Sequence, residues 1–398
     1  MHRCDSRRFG WWLLLGLILA LTAAGCGGDA DMALPVASTS TGEGGAIADV
    51  APFGIEREFP KTDFSKHGVP YREITSGGPP RDGIPAIDSP KFVSVPDADS
   101  WLDPHEAVVA LEIGGDARAY PAQILMWHEI VNDVVGGTPI AVTWCPLCNT
   151  AIVFRRELDG LVLDFGTTGR LRFSNLIMYD RQSESWWQQA SGEAIIGQLT
   201  GKRLEMLAAE LVSWQDFKSA HPSGRVLSRE TGHSRPYGLN PYTAYDLGGP
   251  VLYQGPTIPG ALPAMARVVT VDMGGEAVAY PYEVLARVKV VNDTVAGQPI
   301  VVFWRRGTAS PLEASSVAQG RDVGSATVFS RVLDGRVLTF EAKGDEFRDR
   351  ETGSTWGLLG QARQGPLAGR RLEPVTAINH FWFSWAAFRP DTRVYSPE

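Results

Sequence analysis

Three features are scarce in this 398-residue chain, and each scarcity argues against a class of function. After the first 25 residues, no apolar run approaches the length needed to cross a membrane. The basic residues, 37 against 45 acidic ones, form no stripe, which argues against nucleic acid as a partner. Only four cysteines are present, and the chain has no second C-x-x-C and no H-x-x-x-H, which argues against a closed structural zinc site.

The first residues have the pattern of a targeting segment. Three arginines among the first eight residues precede an apolar run, residues 11–24, that is short for a transmembrane helix. Small residues then precede Cys26, as at a bacterial lipoprotein cleavage site; an ordinary secretory signal with a chance cysteine is the alternative. We predict a signal peptide over residues 1–25 and acylation of Cys26.

Residues 26–58 are rich in Gly, Ser, Thr and Ala and contain few bulky apolar side chains. Such a segment buries too little surface to fold alone, so we predict a flexible tether. Together with an acylated Cys26, it predicts an exported lipoprotein whose one membrane partner is reached through the lipid anchor. The protein would be held in the cell membrane or the outer membrane and face the periplasm or the cell exterior.

The rest of the chain contains an internal repeat. Residues 108–133 recur as residues 268–293 at a constant offset of 160, without a gap. Turn pairs such as Gly114-Gly115 and Asp159-Gly160 separate short alternating segments, and short helices are expected near residues 121–129 and 213–220. The pattern predicts an α+β, β-rich fold made of two tandem, similar, pseudo-symmetric units with short strands and hairpins.

The repeat also sets the predicted boundaries. The first unit spans residues 59–232, a Tyr/Pro-rich segment spans residues 233–265, and a second, degenerate unit spans residues 266–398. We call residues 233–265 the connector. It is either a packed link between the units or a long loop that covers a site, and the packed link is favoured.

The two repeats act as a control on each other. Residues kept in both are expected to be scaffold; Asn132-Asp133 persists as Asn292-Asp293 and is interpreted as turn chemistry. Residues that the second repeat lacks need not be structural, and these differences are concentrated between residues 126 and 148. They predict one site in the first unit, with the second unit as a non-catalytic partner. The exchanged pairs are Cys145 with Arg305, Cys148 with Thr308, His128 with Val288 and Met126 with Ala286.

Cys145 and Cys148, the dithiol, leave three interpretations open. The first is a redox pair without a cofactor, in which His128 acts as base or proton donor. The second is a metal site, with Cys145, Cys148 and His128 as ligands of zinc, or with Met126 added for copper. The third is an inert local disulfide, which the small ring disfavours because it restrains little unfolded-chain entropy. The redox pair is favoured.

Other candidates carry less weight. Ser174-Asn175 lines a pocket or caps a turn, and the sequence leaves both open. Four histidines outside the proposed site are interpreted as isolated surface or capping residues; they are His105, His221, His233 and His380. No helix is expected to open after the dithiol, so a thioredoxin fold is not favoured.

Several motifs in order resemble one known family, the bacterial domain of unknown function numbered 3179. The resemblance covers residues from about 59 to the end, and it assigns no activity. Members of that family described as selenoproteins imply that one dithiol position can hold selenocysteine, which favours redox chemistry at Cys145 or Cys148. The second unit departs from the family pattern, because it has neither the cysteines nor the histidine. The motifs are SGGPPRDGIPAID at residues 76–88, WHEIVND at 127–133, WCPLCNTA at 144–151 and SNLIMYDR at 174–181.

The function predicted from the sequence is therefore a thiol redox lipoprotein that acts on an unidentified disulfide, oxidant or other small molecule. A lipoprotein that binds zinc, copper or another ligand without turnover is the alternative.

Overall fold

The computed structural model describes residues 49–397. The predicted signal peptide, Cys26 and most of the predicted tether lie outside the described residues. The last part of that tether, residues 49–58, belongs to the folded body. Helix α1 begins at Ile55, whose side chain is buried, and the Asp49 carboxylate accepts a hydrogen bond from the Tyr71 backbone at 2.8 Å.

The described body is β-rich, with 13% of residues in helices and 40% in strands. This confirms the predicted α+β class with many short hairpins. No helix of residues 49–397 is long and apolar enough to span a bilayer.

The helices are short. They are α1 Ile55–Glu58, α2 Val95–Ala98, α3 Ala122–His128, α4 Trp214–Ala220, α5 Tyr282–Val288 and α6 Trp382–Ala386. Single 3-10 turns lie at Tyr71–Glu73, Pro146–Cys148, Tyr245–Leu247 and Val317–Gln319.

Short strands make up most of the regular structure. In the first half they are β1 Ile74–Ser76, β2 Phe92–Ser94, β3 Ala107–Ile113, β4 Asp116–Pro121, β5 Ile130–Val135, β6 Thr138–Cys145, β7 Thr150–Arg155, β8 Glu157–Leu158, β9 Leu161–Val162, β10 Phe165–Arg172, β11 Asn175–Asp180, β12 Trp186–Gln188, β13 Glu193–Ile196, β14 Met206–Leu207, β15 Glu210–Ser213 and β16 Arg225–Leu227. In the second half they are β17 Arg267–Met273, β18 Glu276–Pro281, β19 Val290–Val295, β20 Gln298–Arg305, β21 Ser325–Ser330, β22 Val332–Leu333, β23 Arg336–Val337, β24 Phe340–Lys343, β25 Glu346–Asp349, β26 Thr355–Trp356, β27 Ala362–Gln364, β28 Ala377–Phe381 and β29 Arg393–Val394.

Small sheets of neighbouring hairpins organise these strands. In the first half their orders are β15-β3-β4-β16-β2, β14-β7-β6-β5, β1-β10-β11-β12-β13 and β8-β9. In the second half they are β28-β17-β18-β29, β19-β20-β21, β24-β25-β26-β27 and β22-β23. Most pairs are antiparallel, while β16 pairs in parallel with β4 and β29 in parallel with β18.

The predicted local elements recur in both halves. The run β3-β4-α3-β5-β6 has the same lengths and spacing as β17-β18-α5-β19-β20, each bound shifted by 160 residues. The pseudo-symmetry of the two units and their boundaries stay predictions. Both halves belong to one compact body, and one hydrophobic cluster contains the dithiol together with Leu312, Val317 and Phe381 of the second half.

Asn132 and Asn292 have a structural role, but the predicted turn is wrong. Both lie within strands, β5 and β19, and the side-chain amide of each forms two hydrogen bonds to the backbone of a neighbouring strand. The Asn132 amide donates to the Phe165 carbonyl at 2.8 Å, and its oxygen accepts from the Phe165 N–H at 3.0 Å. Asn292 makes the same pair of bonds to Phe340, both at 2.8 Å.

The amide–backbone hydrogen bonds of Asn132 and Asn292 give a prediction about stability. Replacing Asn132 by Leu leaves a buried N–H and a buried carbonyl unpaired, so we expect a loss of about 2–4 kcal/mol in the free energy of unfolding. Asn292 is exposed, and water can reach the groups freed by Asn292→Leu, so we expect that loss to be about 1 kcal/mol. Urea unfolding measures both, and equal losses would contradict the burial argument.

Candidate functional site: a buried dithiol

A tight hairpin presents the dithiol. Cys145 is the last residue of β6, the turn Pro146–Cys148 follows, and Thr150 opens β7 in register with Cys145. Asn149 closes the turn with a left-handed φ of 50°. No helix follows the motif, as predicted from the sequence. Both cysteines are free and buried, and they approach to 3.2 Å, against about 2.05 Å for an S–S bond.

The hairpin turn between β10 and β11 places a carbonyl group against both sulfurs. The Ser174 oxygen lies 3.7 Å from Cys145 Sγ and 3.3 Å from Cys148 Sγ, so that it accepts from the thiols. The turn residues Phe173 and Ser174 have φ of 54° and 65°, which costs about 1–3 kcal/mol for each side-chain-bearing residue. Ser174 therefore belongs to the site, which answers the question left open by the sequence.

Asn175 provides the one side-chain hydrogen-bond donor to a sulfur atom among the described residues. Its amide nitrogen lies 3.5 Å from Cys148 Sγ and donates to Gln189 Oε1 at 2.8 Å. Its oxygen accepts from the Gln188 amide at 2.6 Å and from the Ala190 backbone at 2.9 Å. These partners fix the orientation of the amide, so that an N–H group points at Cys148.

His380 of the second half lies behind the dithiol hairpin. Its Nδ1 is hydrogen-bonded to Thr150 Oγ1 at 2.8 Å, and that hydroxyl also donates to the Cys148 carbonyl at 3.3 Å. The side chain is fully buried, and burial lowers its pKa to about 3, so the ring is neutral. The predicted surface or capping role is wrong here, because β28 packs against β7. The bulky apolar residues that follow it, Phe381 and Trp382, were a usable signal of burial.

Glu129 is the residue at the site that the sequence analysis did not single out. It follows α3 with a left-handed φ of 56°, and its carbonyl accepts from the Trp144 N–H at 2.8 Å. Its carboxyl group is buried and has no hydrogen-bond or ion-pair partner among residues 49–397. Burial raises its pKa to about 8. Burial, Cys148 and the Glu129 charge raise the pKa of Cys145, which shows that the carboxyl and this thiol are close.

The internal repeat contained the signal for Glu129. The corresponding residue, Lys289, ends α5 with a φ of 61°, and its carbonyl accepts from the Trp304 N–H at 2.8 Å. The backbone geometry is therefore common to both halves, whereas the side-chain charge is reversed. A carboxylate at position 129 is not required by the fold.

His128 is held away from direct contact with the sulfurs. Its Nδ1–H donates to the Pro85 carbonyl at 2.8 Å, and its Nε2 accepts from the Tyr237 hydroxyl at 2.7 Å. Burial lowers its pKa to about 4, so the ring is neutral. Within residues 49–397, neither ring nitrogen hydrogen-bonds to a thiol, so the structure does not bring His128 to the position predicted for a base.

The predicted metal-ligand set is not assembled either. In the described part of the chain, no three His, Cys, Asp or Glu side chains are grouped so that they could hold a metal ion. Met126 is buried and lines a pocket of about 250 Å³ beside the site, together with Trp127, Arg235 and Tyr242. Burial is the main cause of the raised pKa of Tyr242, and the charges of Glu129 and Cys145 raise it further. Tyr242 is therefore close to both residues. Through Tyr242, this pocket therefore reaches the surroundings of Cys145.

The connector covers the dithiol, so the favoured interpretation of it as a plain packed link is incomplete. The Tyr245 hydroxyl donates to the Leu147 carbonyl inside the C-x-x-C motif at 2.8 Å. Ser174 Oγ donates to the Val251 carbonyl at 2.6 Å. Tyr237 bonds to His128, as described above. The connector thus contacts the C-x-x-C turn through Tyr245, the β10–β11 turn through Val251 and His128 through Tyr237.

The second half holds the connector in place. A loop between β20 and β21, residues 306–324, replaces the short hairpin turn that carries the dithiol in the first half. Its Ser315 carbonyl accepts from the Asn240 N–H at 2.9 Å, and its Glu313 carbonyl accepts from the Ala244 N–H at 2.6 Å. We call residues 306–324 the clamp loop.

A family model described as "Protein of unknown function (DUF3179)" matches residues 81–392 of the chain. The chain belongs to the DUF3179 family. The match includes the dithiol, the connector and most of the second half. No curated protein and no solved structure matches the chain. For this DUF3179 protein, the geometry of the site is therefore the main guide to function.

The Tyr245 bond gives a prediction about thiol access. Tyr245→Phe removes the hydrogen bond to Leu147 and should speed alkylation of Cys145 and Cys148 by iodoacetamide about three- to tenfold. Tyr253→Phe is the matched control, because its hydroxyl donates to Pro256 within the connector at 2.7 Å. Mass spectrometry measures the alkylation rate of each variant. Equal rates for Tyr245→Phe and Tyr253→Phe would contradict the proposal that Tyr245 helps the connector to cover the dithiol.

Glu129 gives a prediction about the pH dependence of stability. Its carboxyl ionises near pH 4.5 in the unfolded chain and near pH 8 in the folded one. Between these values the folded state binds the extra proton, so this group makes stability fall as the pH rises. Relative to Glu129→Gln, the wild type should lose up to about 4 kcal/mol across that window, at about 1.4 kcal/mol per pH unit.

Chemical unfolding at several pH values measures this difference. Glu283→Gln, at an exposed position, is the control and should show a difference from wild type that does not change with pH. A Glu129→Gln difference that is also constant would show that the carboxyl is not buried in its neutral form.

Proposed function

We propose that this protein is an exported, lipid-anchored thiol oxidoreductase in which Cys145 and Cys148 cycle between dithiol and disulfide. The observation that carries the proposal is the pair of free sulfurs, 3.2 Å apart, with the Glu129 carboxyl close enough for its charge to raise the pKa of Cys145. A small movement of the turn brings the sulfurs to bonding distance. The predicted signal peptide and acylation site support an exported, membrane-anchored location. A disulfide can persist there, because the compartments outside the cytoplasm are oxidising.

The two cysteines have different surroundings, which supports different roles. The Asn175 amide donates to Cys148 Sγ, so among residues 49–397 this sulfur has a side-chain hydrogen-bond donor that Cys145 lacks. Cys145 instead lies beside the Glu129 carboxyl, whose pKa of about 8 suits it to exchange a proton near neutral pH. We assign Cys148 as the attacking sulfur and Cys145 as the resolving one.

The reaction is a two-electron oxidation of the dithiol. The Cys148 thiolate attacks one sulfur of a substrate disulfide, forming a mixed disulfide and releasing the first substrate thiolate. No hydrogen bond joins Glu129 to Cys145 among the described residues, so the turn has to move before Glu129, in its ionised form, takes the proton of Cys145. The Cys145 thiolate then attacks Cys148 Sγ and releases the second substrate thiolate. The two substrate thiols gain the two protons, and the enzyme gains the Cys145–Cys148 bond. With a peroxide as oxidant, the products are an alcohol and water.

His128 has a positioning role in this scheme. It is neutral and connects the Pro85 carbonyl with Tyr237 of the connector, so it fixes the cover of the site. Glu129, and not His128 as expected from the sequence, accepts the proton of Cys145 in this scheme.

Trapping of the mixed disulfide tests the proposal. The full chain is treated with oxidised glutathione, and peptide mapping by mass spectrometry follows residues 145 and 148. Wild type should form an internal disulfide with the loss of two hydrogens, and Cys145→Ser should accumulate glutathione on Cys148. Cys148→Ser should react at least about tenfold more slowly, because the remaining thiol lacks the Asn175 side-chain donor and burial raises its pKa.

Two results would argue against the proposal. Full catalytic turnover by Cys145→Ser would exclude a resolving role for Cys145. Preferential trapping on Cys145 would reverse the assigned order of attack. Serine is a near-isosteric replacement in both variants, and circular dichroism shows whether each has kept its fold.

A further inference from the structure

The position in the second half that corresponds to the dithiol contains a pocket of about 730 Å³. Arg305 stands where the first half has Cys145, and Lys289 stands where it has Glu129. Both line this pocket, which we call the basic pocket. Its volume is typical of sites that hold small organic ligands.

The charge of the pocket is opposite to that of the chain. Five cationic side chains and three acidic ones line it, while the whole chain has a net charge of −8. The cationic residues are Arg267, Lys289, Arg305, Arg306 and Arg321.

The acidic partners of several cations lie behind the pocket wall. Asp246 binds Arg267 at 2.8 Å and Arg321 at 3.2 Å, and its own side chain has no exposed surface. Asp216 pairs with Arg305 and is 4% exposed. Neither carboxylate lines the pocket, so the cations are fixed from behind while they face the cavity. This arrangement reduces the entropy lost when they bind a ligand.

Two of the three acidic residues that line the pocket are largely exposed, so water weakens their interaction with the lining cations. Glu283 is 87% exposed and pairs with Arg287, and Asp345 is 76% exposed, with a carboxylate oxygen 3.9 Å from Lys289 Nζ. Asp322 accepts hydrogen bonds from the backbone of Gly307 and Gly324 in the clamp loop at 2.8 and 3.0 Å, and it pairs with Arg306 at 3.1 Å. Arg306 is therefore a lining cation with an acidic partner inside the pocket.

Unpaired donors and apolar surface complete the pocket. Among the described residues, Arg267 Nε is buried without a hydrogen-bond acceptor, although the other end of the same guanidinium is bonded. Met265, Tyr282, Trp304 and Phe347 contribute apolar surface. A ligand that fits both features has an acidic group and an apolar body.

We propose that the basic pocket binds a small organic acid, with its anionic group held by the lining cations and its apolar part against the aromatic side chains. This binding site is separate from the dithiol, and it does not depend on the proposed redox function. The duplication would thus have produced a sulfur site in one half and an anion site in the other.

Isothermal titration calorimetry of the full chain tests the proposal. The probes are 2-naphthoate and decanoate, each compared with its uncharged amide. We expect one equivalent of each acid to bind, and each amide to bind at least about tenfold more weakly, because a charge-assisted hydrogen bond is lost. Acids that bind no better than their amides, or no binding of either acid, would overturn the proposal.

Two variants locate the binding. Lys289→Met should weaken acid binding about tenfold, whereas Lys202→Met, at an exposed lysine of the first half, should not change it. Ala286→Trp adds bulk at an exposed position that lines the pocket, and it should also weaken binding at least about tenfold. Arg287→Trp is its control on the same helix. If the acids bind unchanged to both Lys289→Met and Ala286→Trp, they bind elsewhere and the proposal fails.

Discussion

The burial of the two sulfur atoms under the connector is the constraint on which the rest of the site depends. Burial keeps Cys145 protonated at neutral pH, because a thiolate is poorly solvated in an apolar surrounding. The Cys145 thiol is therefore in its less reactive, protonated form. The proposed reaction needs a hydrogen-bond donor to the attacking sulfur, a group that accepts the second proton and a cover that opens. Asn175, Glu129 and the connector each meet one of these needs.

The second half contributes to the site although it lacks the dithiol. Its clamp loop holds the connector through the Asn240 and Ala244 backbone groups, and His380 lies behind the C-x-x-C hairpin. Where the first half has the short C-x-x-C turn between β6 and β7, the second half has the longer clamp loop between β20 and β21. The second half therefore supports the first as a structural partner, and its own equivalent cavity is free to bind something else.

Sequence patterns predicted the local structure well and the long-range contacts poorly. The turns at Gly114-Gly115 and Asp159-Gly160 depend on residues adjacent in the chain, so their chemistry is visible in the sequence. The burial of His380 and the connector's place over the dithiol depend on contacts across more than 90 residues, which no local pattern encodes. Asn132 was assigned to a turn because asparagine favours turns, but here its amide replaces backbone pairing between strands.

The comparison of the two repeats separates scaffold from chemistry more sharply than a motif does. Lys289 and Glu129 share a left-handed backbone and the same hydrogen bonds, so the geometry is dictated by the fold and the charge is not. A buried carboxyl group without a partner reduces stability, and the fold alone gives no reason to keep one. Lys289 avoids that cost by donating to the Gly344 carbonyl and facing an open pocket. The unfavourable burial of Glu129 beside Cys145 is therefore best explained by chemistry that uses both groups.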